Sequence, residues 1–174
     1  MADAPRLFDP PVLLTEAHDS SSFDSGEPVL DDWLRRRAWD NLQAAASRTY
    51  VACPKGSREI VGYFALSMGQ ILAQEATGSM RRRNMPKHIP AVTLGRLAID
   101  RAWQGMGLGR ALLADVVKRS LLASSEVSAR LVIVHAISPA AETFYLHGGF
   151  TRLPVETPMF ALDLVKFQKP GKMA

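Results

Sequence analysis

From Pro28 to Ala46, apolar residues recur at Leu30, Leu34, Ala38 and Leu42, a spacing that keeps one face of a helix dry; Pro28 suits the first turn of that helix. Thr49 to Cys53 and Ile60 to Ser67 are rich in Val, Tyr, Phe and Ile. They flank Pro54, Lys55, Gly56 and Ser57, which predicts a β-hairpin. Gly69 to Pro90 breaks the pattern, with two glycines, two prolines, few large aliphatic residues and the run Arg81 to Arg83. It reads as a long functional excursion on the surface rather than as core. Val92 to Ile99 predicts a strand, and Gly107 to Leu121 a helix with Leu108, Leu112, Val116 and Leu121 as its buried stripe. Leu131 to Val134 is a continuous apolar run, as expected of a strand buried on both faces. Ser138 and Pro139 open a short helix as N-cap and first-turn residue, and Gly148 with Gly149 closes it. A final strand is expected over Met159 to Leu164. Strands alternating with helices around a β-helix-β unit indicate an α/β (α+β) protein, one layer of sheet with helices on both faces.

Composition narrows this picture. A chain of 174 residues, 47% of them hydrophobic, is long enough for one substantial core and too short to expect two, so a single domain over 1–174 is predicted. No run approaches the roughly 20 apolar residues that span a bilayer, and Met1 to Pro11 is unlike a signal peptide, which points to a cytoplasmic protein without a membrane partner. The single cysteine, Cys53, has no internal disulfide partner, and no Cys/His cluster offers zinc-ligand spacing, so no metal is expected. Net charge is only +4, but basic residues bunch at Arg35, Arg36 and Arg37 and again at Arg81, Arg82, Arg83, Lys87 and His88. Such clusters are either solvated surface or the footprint of a polyanion.

The chemically informative string is LGRLAIDRAWQGMGLGRALL, in which an apolar strand leads through Gln104, Gly105, Met106, Gly107, Leu108 and Gly109 into an amphipathic helix. Three glycines at alternate positions clear side chains from the turn, so that backbone N–H groups can approach an anion at a helix N-terminus. A dinucleotide GxGxxG starting at Gly105 would need Gly or Ala where Arg110 stands, and starting at Gly107 it would meet Leu112. No GxxxxGK[ST] sequence occurs, so coenzyme A is the best-matched phosphate ligand, set against a bare turn that merely starts a helix.

QGMGLG resembles the [QR]xxGx[GA] acyl-CoA signature of the GNAT superfamily, and the preceding RLAID is similar to that family's fourth strand. The resemblance implies a mixed, mostly antiparallel central sheet whose parallel strands 4 and 5 splay to admit the pantetheine arm of acetyl-CoA. It implies that Leu97, Ala98 and Ile99 offer backbone groups to the pantetheine and thioester, and that Gln104, Gly105, Met106, Gly107, Leu108, Gly109 and Arg110 hold the pyrophosphate. HAISPAAETFYLHGGF is similar to the family's AxxFYxxxGF segment, which places Phe144 at the coenzyme and makes Tyr145 the general acid on the departing thiolate. Glu142, His135 and His147 read as structural, and Cys53 as packing, so direct transfer is expected without a covalent enzyme intermediate.

FDSGEPVLDDWLRRRAWDN, ASRTYVAC, VGYFALS and ATGSMRRRNMPKHIP, in that order, resemble GNAT toxins of bacterial type II toxin-antitoxin modules from about Phe23 to Phe150. That resemblance implies acetylation of the α-amine of the amino acid on aminoacyl-tRNA, a ribbon-helix-helix antitoxin as partner, DNA contacted only through that antitoxin, and a homodimer. Arg81, Arg82, Arg83 and Lys87, with Arg36 on the first helix, are the candidate RNA contacts. The competing reading is a GNAT enzyme acting on a protein N-terminus or a small-molecule amine with the same coenzyme site.

Overall fold

In a computed structural model, which describes residues 7–81 and 84–168, the strands are β1 (Val12–Leu13), β2 (Arg48–Ala52), β3 (Gly62–Leu72), β4 (His88–Ile99), β5 (Leu131–His135), β6 (Thr151–Arg152) and β7 (Met159–Asp163). The helices are α1 (Pro28–Arg36), α2 (Ala38–Gln43), α3 (Leu108–Glu126) and α4 (Pro139–His147). The seven strands form one sheet in the order β1-β2-β3-β4-β5-β7-β6. The expected hairpin is present as the antiparallel pair β2/β3, with Val51 opposite Tyr63. β4 and β5 run parallel, in register over Ala91–Leu94 and Leu131–Val134, and β4 continues to Ile99 beyond that register. β7 pairs antiparallel with β5 on one side and with β6 on the other. The mixed sheet is therefore as expected, whereas the two-residue strands β1 and β6 are too short for any periodicity to announce them.

The chain divides into two compact units, Met1–Ser67 with Arg96–Asp115, and Met68–Gly95 with Val116–Ala174. In the first, Phe23, Trp33 and Tyr63 form the aromatic centre of a core completed by Leu30, Leu34, Val51 and Ala98. Tyr63 stacks on Trp33 at 6.0 Å and meets Phe23 edge-on at 5.6 Å, while its hydroxyl donates to the Leu30 carbonyl at 2.7 Å. Gly62 lies beneath the start of α3. A Cβ there would sit 3.1 Å from Leu112 Cδ1 and 3.2 Å from both Ile99 Cδ1 and Leu108 Cδ2, so the missing side chain is what allows the helix to seat on the strand.

The helix predicted over Pro28 to Ala46 is broken. Arg37 leaves helical geometry at φ −123°, ψ −29°, and two short helices replace one long one. The break keeps Leu30, Trp33 and Leu34 of α1 and Ala38 of α2 all buried, and it leaves Arg35 to Arg37 at the exposed corner.

The stripe on α3 is Leu108, Leu112, Val116 and Ser120, all at 0% exposure, with Ser120 in place of the expected Leu121. Four-residue steps carry the buried face to position 120. Its hydroxyl is accommodated by donating to the Val116 carbonyl at 2.7 Å. Each fully buried leucine on this face contributes roughly 1.5–3 kcal/mol.

In the second unit, the predicted surface excursion Gly69 to Pro90 is mostly at the surface, but it is shorter than expected and sends four side chains into the core. β3 runs on to Leu72 and β4 starts at His88, and Ile71, Ala76, Met80 and Ile89 pack with Leu131, Ile133 and Leu153. Between those strands Ser79 is tied down. Asp163, at the end of β7, receives Arg130 Nε at 2.7 Å, Arg130 Nη2 at 2.9 Å and Ser79 Oγ at 2.9 Å; Arg130 Nη2 also reaches the Ser79 carbonyl at 3.1 Å. Burial alone would raise the Asp163 carboxyl, but hydrogen bonds from Arg130 and Ser79 and the charge of Arg130 hold it below the usual carboxylate range.

Asp163→Asn is expected to lower the unfolding free energy at neutral pH by about 3 kcal/mol, since it leaves the Arg130 charge buried without its partner. A carboxyl whose pKa is depressed on folding stabilises only above its unfolded value, so this contribution is complete above about pH 4 and vanishes as pH falls through the folded value. Urea midpoints of native protein and variant should thus differ at pH 7, and the difference should shrink as the pH falls below about 4. Coincident midpoints at pH 7 would refute the assignment.

Candidate active site

The turn ahead of α3 has the geometry its glycines suggest. Gly105 has φ +77° and Gly107 φ +83°, values that L side chains rarely adopt, and nothing lies within 4 Å of a Cβ placed at either. The glycines are required by backbone conformation, and the space above them is open. Met106, 55% exposed, points outward between them, while Leu108 at 0% anchors the first turn of the helix in the core. Ala111 N–H donates to the Gly107 carbonyl at 3.0 Å, so the N–H groups of Leu108, Gly109 and Arg110 precede the first intrahelical bond and remain available to an anion. The 19 residues of α3 add their dipole at the same end.

Gln104 acts differently from its neighbours. Its side-chain Nε2 donates to the Ile99 carbonyl at 2.9 Å and to the Ser25 carbonyl at 3.0 Å, so both amide hydrogens are committed to backbone. The structure thereby joins the turn to Leu97, Ala98 and Ile99: Ala98 is in the core of the same unit, and Leu97 and Ile99 are half-buried. Asp100 caps the following 3-10 turn, accepting from Ala102 N at 2.9 Å.

Tyr145 belongs to the second unit. It sits on α4, capped as expected by Ser138, whose Oγ accepts from Ala141 N at 3.1 Å. The ring is buried at 6% exposure between Phe144, edge-on at 5.2 Å, and Phe150, at 5.5 Å. Gly149 closes the helix at φ +89°, which brings Phe150 N onto the Tyr145 carbonyl at 3.0 Å. Burial pushes the Tyr145 phenol well above the ordinary tyrosine range, so it stays protonated throughout the neutral range and is a hydrogen-bond donor.

Glu142 pairs with Arg152 at 3.4 Å, and His135 and His147 are exposed. Cys53 is a buried free thiol, pushed up to about 11 by burial and by the charges of Asp9 and Glu59, and is unsuited to attack a thioester. Among the described residues no group of three or more His, Cys, Asp or Glu is placed to hold a metal ion, and no helix is long and apolar enough to cross a membrane.

Of the basic residues, Arg81, Lys87 and Arg36 are exposed, and Arg82 and Arg83 lie outside the described residues. Arg35 is engaged, donating to the Phe23 carbonyl at 2.8 Å and lying 3.8 Å from Asp32. Sequence reasoning missed Ser25, whose carbonyl receives the Gln104 amide, and Asp24, Asp31 and Asp100, which hydrogen-bond the segment around Ser25. The one available signal was the DSG triplet at Asp24–Gly26, a turn signature.

The profile described as Acetyltransferase (GNAT) domain matches residues 36–169. The chain belongs to the GNAT acetyltransferase family. Within it, the chain is 40% identical over 159 residues to a tRNA-acetylating toxin of Mycobacterium tuberculosis (strain ATCC 25618 / H37Rv), covering 91% of this chain and 93% of that protein. Among solved structures, the toxin AtaT complexed with acetyl-methionyl-tRNAfMet matches with a TM-score of 0.86 and 29% identity, covering 92% of this chain and 96% of the other. A tyrosine-to-phenylalanine mutant of AtaT, bound to the C-terminus of the antitoxin AtaR and acetyl-CoA, matches with a TM-score of 0.77 and 30% identity, covering 91% and 94%.

For a GNAT enzyme the turn at Gly105 and Gly107 is the place where substitution should be felt. Gly107→Ala imposes an unfavourable left-handed residue, at about 1–2 kcal/mol, without steric clash. Calorimetry with coenzyme A should therefore show weaker binding by about tenfold, with the thermal midpoint only modestly lowered. Unchanged affinity would remove Gly107 from the coenzyme site.

Proposed function

We propose that this protein is a GNAT toxin, a single catalytic domain that transfers the acetyl group of acetyl-CoA to the free α-amine of the amino acid on a charged tRNA, so that the product is lost to translation. The observation that carries the donor half is the doubly left-handed turn at Gly105 and Gly107 opening onto the N-terminus of α3. The acceptor half is supported by the toxin relatives, which the chain matches over more than nine-tenths of its length.

In this reading the backbone N–H groups of Gly105 to Arg110 hold the pyrophosphate, Gln104 fixes the turn, Leu97 to Ile99 present backbone to the pantetheine and thioester, and Phe144 flanks the coenzyme. The α-amine attacks the thioester carbonyl, a C–N bond forms and the C–S bond breaks. The leaving sulfur takes a proton from Tyr145, the amine releases one to solvent, and solvent returns one to the Tyr145 phenolate. An amide and free coenzyme A result. The raised phenol does not oppose this role, because a thiolate formed in the same desolvated surroundings gains proton affinity for the same reason. Arg36, Arg81, Arg82, Arg83 and Lys87 attract the phosphates of the acceptor arm. The partners that complete the reading are a second copy of the chain and a ribbon-helix-helix antitoxin that carries any DNA contact, with tRNA as a cytoplasmic substrate.

Incubation with labelled acetyl-CoA and a total charged-tRNA pool should place label on aminoacyl-tRNA; label confined to proteins or small amines would overturn the proposal. Tyr145→Phe should depress turnover by about 10²-fold or more while the affinity for coenzyme A stays within about twofold, and unaltered turnover would exclude the tyrosine from proton transfer. Because the phenol titrates far above neutrality, the native rate should rise with pH as the amine, near 7.7–8.0 or below, loses its proton, with no falling limb from Tyr145 below about pH 10. Neutralising Arg81 and Lys87 together should flatten the salt dependence of tRNA binding by roughly 0.7–0.9 in log-log slope for each phosphate they neutralise; an identical slope would return them to solvated surface.

A further inference from the structure

The segment Asp24–Glu27 has no part in the chemistry above, yet it is bound closely to the approach to the glycine turn. Asp24 N donates to Asp100 Oδ2 at 3.0 Å, Arg101 N donates to the Asp24 carbonyl at 2.8 Å, and Arg101 Nε lies 3.3 Å from Asp24 Oδ1. Gly26 N also donates to Asp24 Oδ1, at 2.9 Å. Gly26 has φ +90°, and a Cβ there would stand 3.2 Å from Arg101 Nε, so only glycine passes comfortably at this point. At its centre the Ser25 carbonyl takes the Gln104 amide.

Beneath this strap lies Asp31, in the first turn of α1 and only 5% exposed. Its carboxylate receives Ser25 N at 3.1 Å and 3.2 Å and the Ser25 hydroxyl at 2.5 Å. A carboxylate that served only the helix dipole could stay in water. Burying it costs energy that the Ser25 donors offset, and what those bonds achieve is to hold one of the two carbonyls that Gln104 uses.

We propose that Asp31 is a positioning residue for the acyl-coenzyme turn, acting through Ser25 and Gln104; the proposal rests on the reading of Gln104 to Arg110 as the pyrophosphate cradle. Two glycines in a three-residue stretch leave a cradle floppy, and a floppy cradle must be ordered by its ligand at a cost in affinity. Gln104, next to Gly105, is gripped from two sides, by the Ile99 carbonyl on its own strand and by the Ser25 carbonyl on the strap. Releasing the strap therefore weakens coenzyme binding while leaving the chemical step intact once the site is filled.

The experiment measures coenzyme A affinity by calorimetry, the acetyl-CoA KM and kcat on charged tRNA, and the thermal midpoint, for Asp31→Asn, Ser25→Ala and Ser25→Thr. Asp31→Asn turns an amide N–H toward the Ser25 donors and should raise both Kd and KM by about tenfold, the scale of a lost hydrogen bond to a charged group, with kcat within about twofold. Ser25→Ala should act in the same direction, and Ser25→Thr, which keeps the hydroxyl, should restore native affinity. Combining Asp31→Asn with Gln104→Met should cost less than the product of the single effects, because both break the same hydrogen-bonded chain. A lower thermal midpoint with unchanged Kd, or independent effects in the double variant, would overturn the proposal. If Asp31→Asn does not fold, the Ser25→Ala and Ser25→Thr pair decides the matter. Native protein that fails to bind coenzyme A would instead refute the cradle itself, a result distinct from native and variant proteins binding it equally.

Discussion

The backbone between Gln104 and Leu108 must turn left-handed twice, at Gly105 and at Gly107, before it can enter α3. Each such residue would cost about 1–2 kcal/mol with a side chain. The reversal drops Leu108 into the core and turns the N–H groups of the first helical turn outward. Leu112, Val116 and Ser120 continue the buried face, so the helix cannot rotate without exposing that face. The glycine at position 62 sets how closely that helix approaches the strand beneath it. An anion site of this kind needs no basic side chain of its own. It needs a helix held still and a turn free of Cβ atoms.

Each unit places a buried carboxylate beneath a surface segment. In the first, Asp31 holds Ser25, and through it the loop that grips Gln104. In the second, Asp163 holds Arg130 and Ser79, and through them the base of the loop that carries Arg81 and Lys87. The physical logic is shared: a charge removed from water demands donors, and donors drawn from a loop convert an entropic liability into a defined shape. Neither carboxylate touches the reacting atoms proposed here, and both act through the order they impose.

Tyr145 illustrates how burial selects a chemical role. Packed between Phe144 and Phe150, its phenol is disfavoured as an anion and stays a hydrogen-bond donor, as the proposed transfer to a leaving sulfur requires. Glu142, one turn away on the same helix, pairs with Arg152 instead. An α-amine acceptor suits this arrangement, because it has a substantial neutral fraction near pH 7 and needs no strong base.

Much of this was written locally. The alternate glycines before an amphipathic run, the Ser-Pro opening and Gly-Gly closing of α4, and the β2/β3 hairpin depend on neighbours within a few residues, so the chain alone determined the glycine turn, the tyrosine helix and the hairpin, while the mixed sheet was legible only through the family resemblance. The interruption at Arg37 and the burial of Ile71, Met80 and Ile89 within an apparent surface excursion were settled by packing between segments far apart in sequence. The same is true of the polar links. Ser25 and Gln104 are separated by 79 positions, and Ser79 and Asp163 by 84. No periodicity or motif connects such residues, because a hydrogen bond is chosen by distance and direction in space, and only the folded backbone supplies either.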